Sequence, residues 1–379
     1  MPDRIDLNGA DDPRDAIHRA VACLAAGELV ALATESGYGL VAASLQPAAL
    51  ARLQAALGRF VAIPGPTGEA AAPRPVLLIR AVEELADWAD LESAAARRLA
   101  GRVWPGPVTL RCALPEGGLA DRWPAPARSW LTPDGRVDIQ IPTSRVIREL
   151  TRLASGPVVL GDGASFAAPR KFKLADVAAL DGVGLVLDSG EPPTTFLPTL
   201  VAVGREGWTI ARPGAVSERS LAERAATIIL FICTGNTCRS PMAEALCKAV
   251  LARQLGCPAD DLVAHGWLVV SAGVAASDGM PAAPNAIEVV GHRGGSLVEH
   301  SSRQVSPHLV HHADHILAMT WDHLETLLDQ APEAADRLRL LDPAGGDIAD
   351  PVGLDQRTYH ETAREIERHL ETLLRELGV

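Results

Sequence analysis

Short apolar runs alternate with longer amphipathic ones along most of this chain, and the sharpest switch of period falls in TIILFICTGNTCRSPMAEALCKAVLARQLG, residues 227–256. Thr227 to Ile232 is a continuous apolar run of strand length, followed by a tight polar loop. A helical pattern comes next, with Pro241 placed where a first turn tolerates a missing N–H. Upstream, residues 13–27 read as an amphipathic helix ending at Gly27, ELVALAT (28–34) as a strand, TESGYGL as a turn and QPAALARLQAALG as a second helix. A Pro/Gly-rich break spans 63–75. The strand PVLLIR, the helical AVEELADWADLESAAARRLAG and the segment WPGPVTLRCAL follow. RVDIQIP, PVVLGD, GLVLDSG and TLVAVG are short apolar strands between turn residues. This alternation predicts an α/β or α+β sheet domain of about 200 residues. ARPGAVSERSLAERAA (211–226) has the Arg/Glu/Ala content of a partly helical linker.

Length agrees with that division, since 379 residues exceed one ordinary core and suit about two domains. The expected boundaries are a first domain over 1–217, a linker over 218–225 and a second domain over 226–379. With 47% hydrophobic and 22% charged residues, a disordered chain is excluded. MPDRIDLNGADDPRD is acidic without an apolar core, which is not a signal peptide. No apolar run approaches the ~18 residues of a membrane span, so a soluble, cytoplasmic protein is the expectation. Six scattered cysteines (Cys23, Cys112, Cys233, Cys238, Cys247, Cys257) have neither the density of a disulfide scaffold nor the spacing of a zinc site. The net charge of −12 is uneven: residues 226–379 hold 11 Lys+Arg against 21 Asp+Glu, a poor general nucleic-acid surface.

The loop after Ile232 carries the chemistry. Cys233 opens it, Arg239 closes it six positions later, and Ser240 stands directly behind. In a strand–loop–helix setting, successive loop N–H groups from Thr234, Gly235, Asn236, Thr237 and Cys238 converge, and the helix adds its positive end. An oxyanion is held there without metal, and the same field favours the thiolate form of Cys233. Arg239 supplies a planar fork for two equatorial phosphoryl oxygens. Gly235 and Asn236 suit the unusual backbone angles that inward-facing amides require. The Ser240 hydroxyl can donate to the sulfur when it leaves.

CTGNTCRSPMAE resembles the phosphate-binding loop of the low-molecular-weight protein-tyrosine-phosphatase family, above all the bacterial branch with protein-arginine phosphatases. The likeness continues through SAGVAASDGMPAAPNAI (271–287), HSSRQVS (300–306), ADHILAMT (313–320) and DIADPVG (347–353), covering 226–379. It implies a Rossmann-like parallel-sheet phosphatase domain acting on a phosphorylated protein, with no cofactor. It also assigns the general acid, which later activates water, to Asp350 on the DIADPVG loop; Asp342 and Asp347 are the nearby competitors. Thr237 stands where tyrosine phosphatases of the family commonly carry a bulkier aliphatic residue and arginine phosphatases a threonine. Val352-Gly353 follows Asp350-Pro351 in place of the tyrosine pair of eukaryotic relatives. Both features favour phosphoarginine over phosphotyrosine. Arsenate reductases share the fold and loop but relay oxidation to downstream cysteines, and none follows Cys257. Cys238 is a candidate for a reversible disulfide with oxidised Cys233, or a small packed side chain. His308, His311, His312 and His315 suggest a metal cluster, but a strand beginning by His315 breaks the helical register, and a solvated histidine-rich turn is the preferred reading.

ATESGYGL, WPGPVT and IARPGAV, in that order, resemble the YrdC-like fold of threonylcarbamoyl-AMP synthases, which activate threonine and bicarbonate with ATP for tRNA modification. The likeness spans about residues 12–217 and implies a twisted α/β sheet domain. It places Thr34, Ser36 and Tyr38 at the threonine end of a groove, with Arg59, Thr109, Thr199 and Arg212 further along. ATP, with Mg²⁺, and RNA are the ligands an active member takes. This chain departs from the pattern at Leu57-Gly58-Arg59, where the family has a lysine two before the arginine, at Gln140, where it has an arginine, and at Gly161-Asp162-Gly163, where it has Ser-Ala-Asn. Losing two cations weakens a triphosphate site. With Lys171 and Lys173 as the domain's only lysines, RNA has little electrostatic footprint. Synthase activity and a retained fold that only binds or regulates both remain open.

Overall fold

The structure, a computed structural model, describes residues 2–8, 13–61, 73–167, 169, 171–190 and 196–379. The Pro/Gly-rich break therefore lies outside the described residues as far as position 72. Two compact units emerge, Met1–Arg224 and Ala225–Val379, and the helix Glu218–Ala225 occupies the segment expected to link them. Among the described residues, no helix is long and apolar enough to cross a membrane.

The N-terminal unit is one mixed sheet built from β1 (Asp3–Asp6), β2 (Leu29–Thr34), β3 (Gly37–Ala43), β4 (Val76–Leu78), β5 (Val108–Ala113), β6 (Arg136–Gln140), β7 (Val158–Asp162), β8 (Val183–Asp188), β9 (Thr199–Gly204) and β10 (Gly207–Arg212). Their order is β1-β8-β2-β3-β7-β4-β6-β5-β9-β10. The stretch TESGYGL is not all turn: Glu35 and Ser36 turn the chain, and Gly37, at φ 129°, starts β3 antiparallel to β2. Nor is 81–101 one helix. A single turn, Leu85–Trp88, ends where the Asp90 N–H donates to the Ala113 carbonyl at 2.9 Å. A new helix, Ala94–Val103, then starts at Ser93, whose side chain accepts from Ala96 N. β1 is polar and β10 half-exposed, so neither carries the apolar signature that marks the inner strands.

The C-terminal unit is a parallel sheet of β11 (Thr227–Cys233), β12 (Trp267–Gly273), β13 (His315–Ala318) and β14 (Leu338–Leu340), in the order β12-β11-β13-β14. β11 is central and buried on both faces, which explains its unbroken apolar run. Ile229, Phe231 and Cys233 point to one side, where Met242 and Leu246 of the helix Arg239–Leu255 and Ile366 and Leu370 of the helix Gln356–Glu376 cover them. Ile228, Leu230 and Ile232 point to the other, against Val310 and Leu327. Each fully buried side chain of this kind contributes about 1.5–3 kcal/mol. The chain passes from β11 to β12 on one side and to β13 on the other, so strand order reverses beside β11 and leaves a crevice at its carboxyl end. Cys233 is the last residue of β11, and period-two alternation turns its sulfur toward the helix Arg239–Leu255.

Candidate active site

The loop from Cys233 to Arg239 folds back over its own sulfur. Cys233 is 3% exposed; its Sγ lies 3.3 Å from the Asn236 backbone N–H and 2.9 Å from Ser240 Oγ. Asn236 supplies the bend with φ 54°, while Gly235 has no positive φ; of the two residues expected to take special angles, only the asparagine does. The strain is held by four bonds. Asn236 Nδ2 donates to Ser240 Oγ (3.0 Å) and Ser271 Oγ (2.9 Å), Arg303 N donates to Asn236 Oδ1 (2.9 Å), and His300 Nε2 lies 2.8 Å from the Asn236 carbonyl. The glycine that matters sterically is Gly273, since a Cβ there would sit 2.4 Å from the Thr234 carbonyl oxygen and 3.0 Å from Asn236 N. Its absence lets the segment after β12 reach the loop, with Val274 N and Ala275 N donating to the carbonyls of Cys233 and Thr234, each at 2.9 Å. The Ala283 N–H donates to the Thr237 carbonyl at 2.9 Å.

Arg239 begins the helix Arg239–Leu255 and is 5% exposed. Its Nη2 donates to Asp350 Oδ2 at 2.6 Å and more distantly to Thr234 Oγ1 at 3.4 Å, and Nη1 donates to the Ile348 carbonyl at 3.2 Å. Asp350 thus lies over the loop with its carboxyl 39% exposed. It does not cap the following helix, because Asp355 does that, accepting from Thr358 N. The other two carboxylates are committed to local structure: Asp347 accepts from Trp321 N, and Asp342 accepts from Ala344 N and Gly346 N. Cys238 is buried with its sulfur 3.2 Å from Tyr359 Oη, and burial together with that contact raises the Tyr359 pKa.

His323 was not marked by the sequence. It is 5% exposed, and its ring spans Thr320 Oγ1 and Thr234 Oγ1, each at 2.8 Å. Burial, and then the Arg239 charge, lower its pKa from 6.5 to about 4, so the imidazole is neutral at physiological pH. The only advance signal was Thr320-x-x-His323, a helix start with a titratable group at its third position. His308, His311 and His312 lie on the helix Pro307–His312, and His315 opens β13. Among the described residues, no group of three or more His, Cys, Asp or Glu is arranged to hold a metal ion.

The N-terminal unit contains a cavity of about 390 Å³ whose wall includes Thr109, Arg212, Gln140 and Asp162. Thr109 Oγ1 donates to Gln140 Oε1 at 2.8 Å, and Gln140 Nε2 donates to Glu35 Oε2 at 2.9 Å. Burial raises the Glu35 pKa. Thr34 and Ser36 donate to Asp162 Oδ2 at 3.1 and 2.5 Å. The remaining expected groove residues are engaged elsewhere. Tyr38 Oη donates to Asp188 Oδ1 at 2.9 Å, Thr199 Oγ1 donates to the Val216 carbonyl at 3.0 Å, and Arg59 forms a 2.5 Å ion pair with Asp181. Arg59 and its partner are mostly exposed, so this guanidinium faces solvent rather than the cavity wall.

Comparison with known proteins agrees with this division. A family described as low molecular weight phosphotyrosine protein phosphatase matches residues 228–379, and one described as telomere recombination, the YrdC-like family, matches residues 22–214, half of the chain. The protein-arginine-phosphatase of Geobacillus stearothermophilus is 37% identical over 153 residues, which make up 39% of this chain and 95% of that protein. The probable low molecular weight protein-tyrosine-phosphatase EpsP of Ralstonia nicotianae is 36% identical over 141 residues, 37% of this chain and 88% of its own. Among solved structures, a YwlE mutant from Bacillus subtilis is 35% identical, covers 41% of this chain and 100% of its own, and has a TM-score of 0.36. The chain belongs to the low molecular weight phosphatase family through its C-terminal unit and to the YrdC-like family through its N-terminal unit, and it is an enzyme with phosphatase activity.

Proposed function

We propose that the C-terminal unit hydrolyses phosphoarginine, and more slowly phosphotyrosine, in proteins through a phospho-cysteine. The observation that carries this reading is the Cys233 sulfur, 3.3 Å from a loop N–H and 2.9 Å from Ser240, beneath an Arg239–Asp350 pair at 2.6 Å. The phosphoryl group enters between that pair, taking over the guanidinium, and the loop amides hold its oxygens. Cys233 sulfur forms a bond to phosphorus as the P–N or P–O bond breaks, and Asp350 gives its proton to the leaving nitrogen or oxygen. Water then attacks the phospho-cysteine. Asp350 takes the water proton, the S–P bond breaks with its electrons returning to sulfur, and Ser240 donates to the thiolate so formed. Inorganic phosphate leaves.

Selectivity for phosphoarginine rests on Thr237, where the small side chain leaves room and a hydroxyl for a guanidinium, and on Val352 in place of an aromatic clamp. Hydrolysis of matched phosphoarginine and phosphotyrosine peptides tests it. Thr237→Ile is expected to shift the ratio of their kcat/KM values toward phosphotyrosine by about tenfold or more, the scale of filling a pocket with extra methyl groups. A wild-type preference for phosphotyrosine would reject the arginine assignment while leaving the phosphatase chemistry intact.

A second reading concerns the N-terminal unit, where we propose ligand binding without adenylate formation. Most of the positive charges lining its cavity already pair with carboxylates. Arg111 makes a two-point contact with Asp138 at 2.7 and 2.8 Å, and Arg74 pairs with Asp134 and Asp138. Arg212 donates only to the neutral Ala164 carbonyl, with its Nε unsatisfied among the described residues, and so is the surplus cation, while Gln140 brings no charge and Asp162 a carboxylate. A triphosphate finds little surplus cation there. An upward shift in melting temperature with ATP or threonine, with no pyrophosphate released on adding bicarbonate, is the expected result. Turnover would restore the synthase assignment.

A further inference from the structure

Thr234 stands exposed at the mouth of the loop, yet its hydroxyl is fixed from behind by a buried side chain that has no part in the reaction scheme. His323 is the third residue of the helix Trp321–Gln330, whose N-cap is Thr320. Thr320 Oγ1 accepts from the His323 backbone N–H at 3.4 Å and lies 2.8 Å from ring Nδ1, so a single hydroxyl holds both the helix end and the ring. The opposite nitrogen, Nε2, is 2.8 Å from Thr234 Oγ1. Arg239 can only donate, so Thr234 Oγ1 accepts from Nη2 with one lone pair, and its proton is available to Nε2. A Thr234 hydroxyl that donates to Nε2 requires the neutral ring to carry its proton on Nδ1, facing Thr320 Oγ1. The charged groups acting on the ring are Arg239 and Asp322, Asp350 and Asp347, and burial with Arg239 outweighs the carboxylates.

We infer that His323 is a positioning residue for hydrolysis: its neutral imidazole orients the Thr234 hydroxyl, which in turn steadies the Arg239 guanidinium between the phosphate loop and Asp350. This rests on the thiolate–arginine reading of the loop. A histidine needed only for the fold would be satisfied by the Thr320 contact; the link from Nε2 to an exposed loop threonine serves the pocket.

The two ring nitrogens separate these roles. In the full-length protein, the amide of Gln reaches the place of Nε2, whereas the amide of Asn reaches only the place of Nδ1. His323→Ala is expected to lower kcat/KM about tenfold, the value of one hydrogen bond to a charged network. His323→Gln should recover most of that loss. His323→Asn should recover melting temperature but not kcat/KM. Thr234→Val should lose as much as His323→Ala, and the double variant no more than either. Equal rescue by Asn and Gln, an unchanged kcat/KM in His323→Ala, or losses that multiply in the double variant would each overturn the inference. A measurement without turnover stands beside these: nitrogen NMR of the labelled histidine should show the Nδ1–H tautomer in the wild type and its loss in Thr234→Val, and an Nε2–H tautomer would be fatal. Hydrolysis that survives Cys233→Ser would instead reject the loop chemistry, a failure these histidine readouts do not share.

Discussion

Cys233→Ser is expected to lower hydrolysis by about 10⁴-fold or more, the scale seen when a covalent nucleophile is removed from an intact site. The reason is electronic rather than steric. A thiol is intrinsically far more acidic than an alcohol and a thiolate is the better nucleophile, whereas a serine hydroxyl in the same place keeps its proton and has no adjacent base to take it. The Asn236 N–H, 3.3 Å from the sulfur, and Ser240, 2.9 Å away, offer only donation or a hydroxyl. Binding should survive, because the phosphate contacts come from loop amides and Arg239. Single-turnover hydrolysis and calorimetric titration with a phosphopeptide separate the two effects: turnover vanishes while affinity stays within a few-fold of wild type. Persistent turnover would remove Cys233 from the mechanism, and lost affinity with lost turnover would point to a collapsed loop instead.

The candidate phosphate-binding loop was legible because its determinants are local. A strand, five loop positions and a helix start are contiguous in sequence, and the cysteine and arginine are fixed by the same turn. Asp350 is 111 positions from Arg239, and only the Asp-Pro context of the resemblance singled it out. What supports the loop was not readable, since it arrives from elsewhere in the fold. Ser271 comes from β12, His300 and Arg303 from the segment after it, Tyr359 from the last helix and His323 from the helix after β13. Ser271, His300 and Arg303 fall inside stretches that carry the resemblance, and His323 and Tyr359 outside them, but the contact each makes with the loop is specified only when parallel strands set their carboxyl ends side by side. The assignment of an unusual angle to Gly235 also failed for a physical reason. Asparagine tolerates the left-handed region when its side chain is fully bonded, as that of Asn236 is, so the glycine beside it was free to be ordinary.

In the N-terminal unit the inner strands were readable from their apolar runs, but β3 was not. Its first four residues, GYGL, read as turn because glycine is poor in strands, yet a Cβ on Gly39 would come within 2.8 Å of the Asp162 side chain, so close approach of β7 requires the residue. The same approach explains why Asp162 sits well in place of a small polar triplet: Thr34, Ser36 and the Ala164 N–H all donate to its carboxylate. A buried acid so satisfied is stable where it is. It is also the wrong sign for a polyphosphate, which ties the departure in sequence to the charge of the cavity.

Asp350→Asn should produce two changes of opposite sign, and their combination is what identifies the residue as the proton donor. Protonating a leaving group is worth about 10²–10⁴ in rate, and the demand grows as the leaving group becomes more basic. Hydrolysis of a phosphoarginine or phosphotyrosine peptide should therefore fall by about 10²-fold or more, while an aryl phosphate with an acidic phenol falls far less. At the same time the asparagine no longer competes for Arg239, which Asp350 holds at 2.6 Å. That ion pair is partly exposed on its carboxylate side, so its loss is worth under about 1 kcal/mol, and inorganic phosphate should inhibit the variant a few-fold more tightly than the wild type. Asp347→Asn and Asp342→Asn serve as controls. Their carboxylates accept from backbone N–H groups of Trp321, Ala344 and Gly346, so their substitution is expected to lower melting temperature without steepening the dependence on leaving-group basicity. A uniform loss across all leaving groups in Asp350→Asn, or a steepened dependence in either control, would move the acid to another carboxylate.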